Sequence, residues 1–171
     1  MDITKIPFGS KFPSEVNAII EIPQNQIGLK YEIDKESGAV FVDRFLTAPM
    51  FYPANYGFIP NTLGGDGDPL DILVISPFSV QAGAVIPAKV IGILIMEDEG
   101  GMDEKVIAVP ASSISKEYEK VNEIEDLPAL LVNQIKHFFE RYKDLEKNKW
   151  VKVQGFKNAQ EARDLILSSK R

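Results

Sequence analysis

The chain has 171 residues, 44% of them hydrophobic and 26% charged, ordinary globular values that exclude wholesale disorder. Zero cysteines and one histidine exclude disulfides, thiolate or multi-histidine zinc sites, iron–sulfur clusters and a cysteine nucleophile. The net charge of -6, taken alone, argues against a polyanionic ligand.

Length favours a single domain over residues 1–171, exposing roughly 8,400 Å² when folded. The N-terminal MDITKIPFGSKF lacks the apolar stretch of a secretory signal, and the longest apolar run, Val90 to Met96, is too short to span a membrane. A cytoplasmic location with no membrane partner is expected. Glu15 to Ile22 reads as the first strand, being β-branched and apolar. Lys30 to Asp34 and Ala39 to Phe45 both alternate, and Lys35-Glu36-Ser37-Gly38 between them makes a hairpin. Phe51 to Gly57 is a tyrosine-rich loop. Asp71 to Ser76 reads as a buried strand and Val85 to Glu97 as a long one. Gly100-Gly101 turns the chain into a strand from Lys105 to Val109. Leu131, Ile135, Phe138, Tyr142 and Leu145 recur at helical steps, with Asp126 as the cap and Pro128 in the first turn. A second helix starts at Asn158, with Glu161 completing a capping box, and buries Ala162, Leu165 and Ile166. Strands followed by helices predict an α+β fold, a small barrel or twisted sheet with helices outside. Charge divides along the chain. Met1 to Gln134 holds 9 Lys/Arg against 20 Asp/Glu, and Ile135 to Arg171 holds 10 against 5.

The chemistry begins at Gly64-Gly65-Asp66-Gly67-Asp68-Pro69-Leu70-Asp71. Three carboxylates so close repel one another unless a hard cation with oxygen ligands neutralises them. The calcium-loop pattern fails, because its fifth and sixth positions from Asp66 hold Leu70 and Asp71. A solvated acidic turn is the plain alternative, but Asp71 opens an apolar strand. A second cluster, Glu97 to Lys105, puts Asp98 and Asp103 near each other across the Gly100-Gly101 turn. Lys105 follows on the face of Asp103. Lys30 and Glu32 share one face of the hairpin, with Arg44 on the neighbouring strand. Tyr52 and Tyr56 in the tyrosine-rich loop, and Tyr142 beside Lys143 on the helix, offer hydroxyls and an ammonium, or else plain core packing. No dinucleotide fingerprint, P-loop or nucleophile elbow is present.

Together these segments resemble family I inorganic pyrophosphatases of the short prokaryotic form. DGDPLDI fits that family's signature, and KYEIDKESGAVFVDRFL, FYPANYGFIPNTL and HFFERYKDLE follow in the family's order and spacing. The resemblance implies an OB-like, twisted barrel of about five strands with two main helices outside. It implies Mg²⁺-dependent hydrolysis of pyrophosphate to two phosphates, clearing the pyrophosphate released by biosynthesis. Several Mg²⁺ ions would be held by Asp66, Asp71, Asp98 and Asp103, with Glu32 on a further ion. Asp68 would help deprotonate the attacking water. Lys30, Arg44, Lys105 and Lys143 would contact phosphate, Tyr56 and Tyr142 would hydrogen-bond it, and Glu21 and Tyr52 would support the site. A homohexamer, a dimer of trimers, is implied as well. His137 is retained, while Arg141 stands where some hexameric relatives carry a second histidine.

A nucleic-acid-binding barrel is the main rival, but such modules need a basic groove, and the strand-rich body is acidic. The low net charge then changes meaning. The acidic residues that matter gather where cations are expected, so the loaded surface would be positive.

Overall fold

The computed structural model describes residues 2–65 and 67–171. Five strands form a closed ring: β1 (Glu15–Ile22), β4 (Asn55–Phe58), β5 (Asp71–Val74), β8 (Lys105–Pro110) and β6 (Val85–Asp98), with β1 pairing back onto β6. This is the expected small barrel. The 14-residue β6 closes it because it outlasts its neighbours. Its first half pairs with β1, and its far half carries β9 (Val151–Asn158) and the two-residue β7 (Gly101–Met102). Every ring pairing is antiparallel except β5–β8, which runs parallel with Asp71 opposite Lys105. A separate hairpin, β2 (Leu29–Ile33) with β3 (Val40–Phe45), lies beside the ring.

Alternation along the ring strands feeds two cores. Val16, Ala18, Ile20, Ile72, Val74, Val106 and Ala108 share one with Ala162 and Ile166 of helix α2 (Ala159–Ser168). Leu73, Ile75, Ile107 and Val109 share the other with Ile135, Phe138 and Phe139 of helix α1 (Ala129–Arg141). The surface is 8651 Å², close to the size expected for this length. α2 begins as its sequence dictates. Asn158 Oδ1 accepts from Glu161 N at 2.9 Å, and the Glu161 carboxylate accepts from Asn158 N, so both orphan amides are satisfied.

Four expectations need correction. Asp126 does not cap α1, whose N-cap is Pro128. Its carboxylate instead accepts from Asn122 N and Glu123 N, tying the short 3-10 turn before the helix. Leu145 lies beyond the helix end and is 66% exposed. Asn55 to Gly57, read as loop, belongs to strand β4. Strand β9 fills the stretch between the two helices, where no strand was expected.

Gly57 shows why a turn-forming residue sits in a ring strand. A Cβ there would stand 1.9 Å from the Ile19 carbonyl oxygen, backbone that cannot swing aside. Gly57→Ala is expected to cost about 2–3 kcal/mol by overpacking and to lower Tm by roughly 4–12 °C. Calorimetry of the two proteins checks this; an unchanged Tm would mean the strands separate more readily than their hydrogen bonding indicates.

Candidate active site

The register of β5 and β8 creates the centre of the site. Asp71 and Lys105 open these two parallel strands on the same face as Leu73 and Ile107, whose side chains lie under α1. The apolar stripe thus ends in a facing acid and base. Lys105 is 3% exposed, and its Nζ donates to Asp71 Oδ2 and to Asp103 Oδ1, each at 2.5 Å. Burial pulls the ammonium's pKa down, but Asp71 and Asp103 outweigh it and hold the pKa well above the ordinary lysine range. Asp103 behaves oppositely. Burial pushes its carboxyl up, Lys105 pulls it back, and the charges of Asp71 and Asp98 add to the rise. Tyr56, brought in by β4, lies beside Asp71, and burial first and then that carboxylate's charge push its hydroxyl up.

The hairpin turn places Asp98 opposite Gly101, and Asp103 N donates to Met96 O at 2.9 Å, which folds both acids inward. Lys143, just past the end of α1, donates to Asp98 Oδ2 at 2.7 Å and to Glu99 Oε1 at 3.3 Å. Burial would lower its pKa, but the Asp98 hydrogen bond leads a set of contacts that raises it. Burial likewise raises the Tyr142 and Tyr56 hydroxyls, so both phenols stay protonated donors at neutral pH.

The β2–β3 hairpin supplies the opposite wall. Lys30 pairs with Arg44, and Tyr31 with Val42, so β3 carries Asp43 as an extra residue and strict alternation is broken there. Lys30 Nζ donates to Asp43 at 2.9 Å. Arg44 Nη1 lies 3.5 Å from Glu146 Oε2, while among the described residues its buried Nε has no hydrogen-bond partner. Glu21 at the end of β1 accepts from Ile33 N at 2.8 Å and from Lys35 at 3.3 Å, anchoring the hairpin to the ring. Burial raises its carboxyl pKa against those two donors.

All of these converge on one cavity of about 210 Å³, lined by Glu21, Lys30, Glu32, Arg44, Tyr56, Asp68, Asp71, Asp98, Asp103, Lys105, Tyr142 and Lys143. Twelve expected site residues therefore meet across sequence distances that only the fold could bridge. Tyr52 is not in the wall. It is 2% exposed and packs beneath it, 5.8 Å from the Tyr56 ring and 4.8 Å from Phe138. Asp66 lies outside the described residues. Tyr31 and Lys35 also line the cavity. Lys35 was legible only as a turn residue, and no pattern in the sequence marks its reach to Glu21. Among the described residues no three carboxylates stand close enough to form a ready-made metal cage. No helix among them is long and apolar enough to cross a membrane.

Comparison with known proteins places the chain in a family. The family model described as inorganic pyrophosphatase matches residues 18–171. Inorganic pyrophosphatase 1 of Pseudomonas syringae is 59% identical over 169 residues, covering 99% of this chain and 97% of that protein. A crystal structure of an inorganic phosphatase from Anaplasma phagocytophilum superposes with a TM-score of 0.94 at 48% identity, over 96% of each chain. The inorganic pyrophosphatase of Thermus thermophilus superposes at 0.93 with 43% identity, over 99% of this chain and 97% of that one. A family match over most of the chain, 59% identity over almost its full length and a common fold lead to one conclusion: the chain belongs to the inorganic pyrophosphatase family and is an enzyme that hydrolyses pyrophosphate.

Proposed function

We propose that the hydrolysis requires Mg²⁺, with Asp66, Asp71, Asp98 and Asp103 as its ligands, Glu32 on a further ion, and Asp68 as the base. One observation carries this reading. Cations from the hairpin, from β8 and from the end of α1 face a set of carboxylates across a single cavity. The donor set is entirely oxygen and scattered over several elements, which suits an ion that keeps several waters better than one that needs a closed cage. Asp103, pushed up by burial and by two neighbouring acids, marks a place where positive charge is wanted. Bound Mg²⁺ would supply charge neutralisation and a more acidic water.

The chain's own groups do the rest. Asp68 orients the attacking water and takes its proton. The water oxygen bonds to one phosphorus, the bridging P–O bond breaks, and the second phosphate departs with the bond's electron pair. Lys30, Arg44, Lys105 and Lys143 hold the phosphate oxygens and stabilise the charge that develops on the leaving group. The buried Nε of Arg44 supports such a contact, since an anion would give it an acceptor. Tyr56 and Tyr142, kept protonated, donate to phosphate. Glu21 fixes the hairpin and Tyr52 supports Tyr56 from below.

A single domain over residues 1–171 carries the whole activity in this reading. Its home is the cytoplasm, and its assembly is a homohexamer, a dimer of trimers. Exposed Phe41, Phe45, Phe51 and Leu130 support burial against other copies.

Asp68→Asn tests the base. It keeps size and polarity but cannot accept the proton as a carboxylate does. At saturating Mg²⁺, kcat is expected to fall about a hundredfold, the lower end for a general base. Phosphate release measured at steady state checks this, and a loss below about tenfold would remove Asp68 from the role.

A further inference from the structure

The acidic loop must be held from somewhere, and Thr62 sits where its two ends meet. The loop leaves the ring after Phe58 and returns through Leu70, immediately before Asp71. One backbone bond, Ile59 N to Leu70 O at 2.9 Å, closes the base. Thr62 completes it. Its Oγ1 donates to Ile59 O at 2.6 Å and accepts from Leu70 N at 2.9 Å, and the residue is 2% exposed. The hydroxyl thus satisfies a donor on one side of the loop and an acceptor on the other, where water has little access. Further out, Gly64 N donates to Asp68 O at 2.6 Å, so the span that carries Asp68 is short and tied to the same base. From outside, Leu63 N donates to Ser169 O at 2.8 Å, fixing the neighbouring backbone to the end of α2.

We propose that the Thr62 hydroxyl is a positioning residue for catalysis, holding Asp68 and Asp71 at the depth the reaction needs. This rests on the roles given above to those two aspartates. Thr62 is buried and does not line the cavity. Without its hydroxyl the buried Leu70 N–H, next to Asp71, loses its acceptor, and the loop settles elsewhere. Displacements well under 1 Å matter for a reacting pair, and one of about 1 Å is worth about a hundredfold. Among the described residues the Thr62 hydroxyl bonds only to the loop base, and Lys30, Arg44 and Lys143 line the cavity from other elements, so substrate affinity should be spared.

Thr62→Ser and Thr62→Ala make the test. Both lose the methyl, and they differ only in the hydroxyl. Thr62→Ser is expected to keep kcat within about threefold of the parent, and Thr62→Ala to lose about tenfold or more, with KM moving less than about threefold in each. Ile124→Ala, in the separate core under α1, serves as a variant destabilised elsewhere and should keep kcat once the folded fraction is matched by circular dichroism. A Ser and Ala pair equal in kcat, whether both active or both inactive, overturns the proposal, as does an equal kcat loss in Ile124→Ala. Asp68→Asn run alongside separates the two ideas. Retained activity there undoes the catalytic roles themselves, while its loss with a Thr62 pair of equal kcat undoes only the positioning.

Discussion

Removing divalent cations with excess chelator is expected to cut phosphate release from pyrophosphate by at least about a thousandfold, and restoring Mg²⁺ is expected to return it. The size follows from the several kcal/mol that a bound cation contributes by neutralising charge and acidifying water. It also follows from the cavity. Without metal, the pocket presents Asp68, Asp71, Asp98 and Asp103 to a highly anionic substrate. Lys105 is committed to two of these acids and Lys143 to a third, so the resting cations are largely spent on protein carboxylates. Pyrophosphate therefore meets a pocket with little free positive charge until divalent ions take the acids over. Continuous phosphate detection across a Mg²⁺ titration measures this. Equal rates with and without chelator would overturn the metal reading while leaving the family assignment intact.

Lys105→Met is expected to damage both activity and stability. Catalytically it removes a charge proposed to face the phosphates, worth roughly a hundredfold or more in kcat. Structurally it leaves Asp71 and Asp103 facing each other in a buried site without their shared partner. Breaking a buried pair on one side costs about 3–5 kcal/mol, a Tm drop of roughly 6–20 °C for a chain of this size. The sign with pH is definite. The folded ammonium's pKa lies above its unfolded value, so its contribution is fully present below the unfolded lysine pKa. It fades only as pH rises toward the folded value, and neutral pH sees all of it. Mg²⁺ should restore part of the lost Tm without restoring kcat, because a cation can reach the acids but cannot replace the lysine's proposed contact with substrate. Calorimetry with and without Mg²⁺, next to steady-state kinetics, checks both halves. A Tm that Mg²⁺ does not raise would show that the two acids are not cation ligands.

Much of this was legible because local rules and the fold agreed. β1 runs from Glu15 to Ile22 as its apolar, β-branched run predicts, and α2 starts at its capping box. The failures have local causes. Asn55, Gly57 and the preceding Pro53 are turn formers, and β4 is a strand because β1 and β5 pair with it on both sides. Val151 and Val153 alternate with Lys152 and Gln154, a strand signal hidden beside the helical pattern of α1. The β3 bulge at Asp43 leaves no mark in the sequence, since register depends on the partner strand. Within the site, the ligand-type acids and phosphate-type cations were visible as residues. Their neighbours Lys35, Asp43 and Glu146 were not, because each acts through a contact more than ten positions away.

The one parallel pair in the ring has a consequence for the order in which the protein comes together. An antiparallel neighbour can be reached by a tight turn, but β8 cannot lie beside β5 until the chain has run out along β6 and returned. Asp71 and Lys105 therefore meet only at the end of a long excursion, which is a slow kind of contact to form. A refolding chain that has recovered its helices still has Asp71 and Lys105 apart. Regained hydrolysis should lag helical circular dichroism, and enzymatic activity becomes a clock for ring closure.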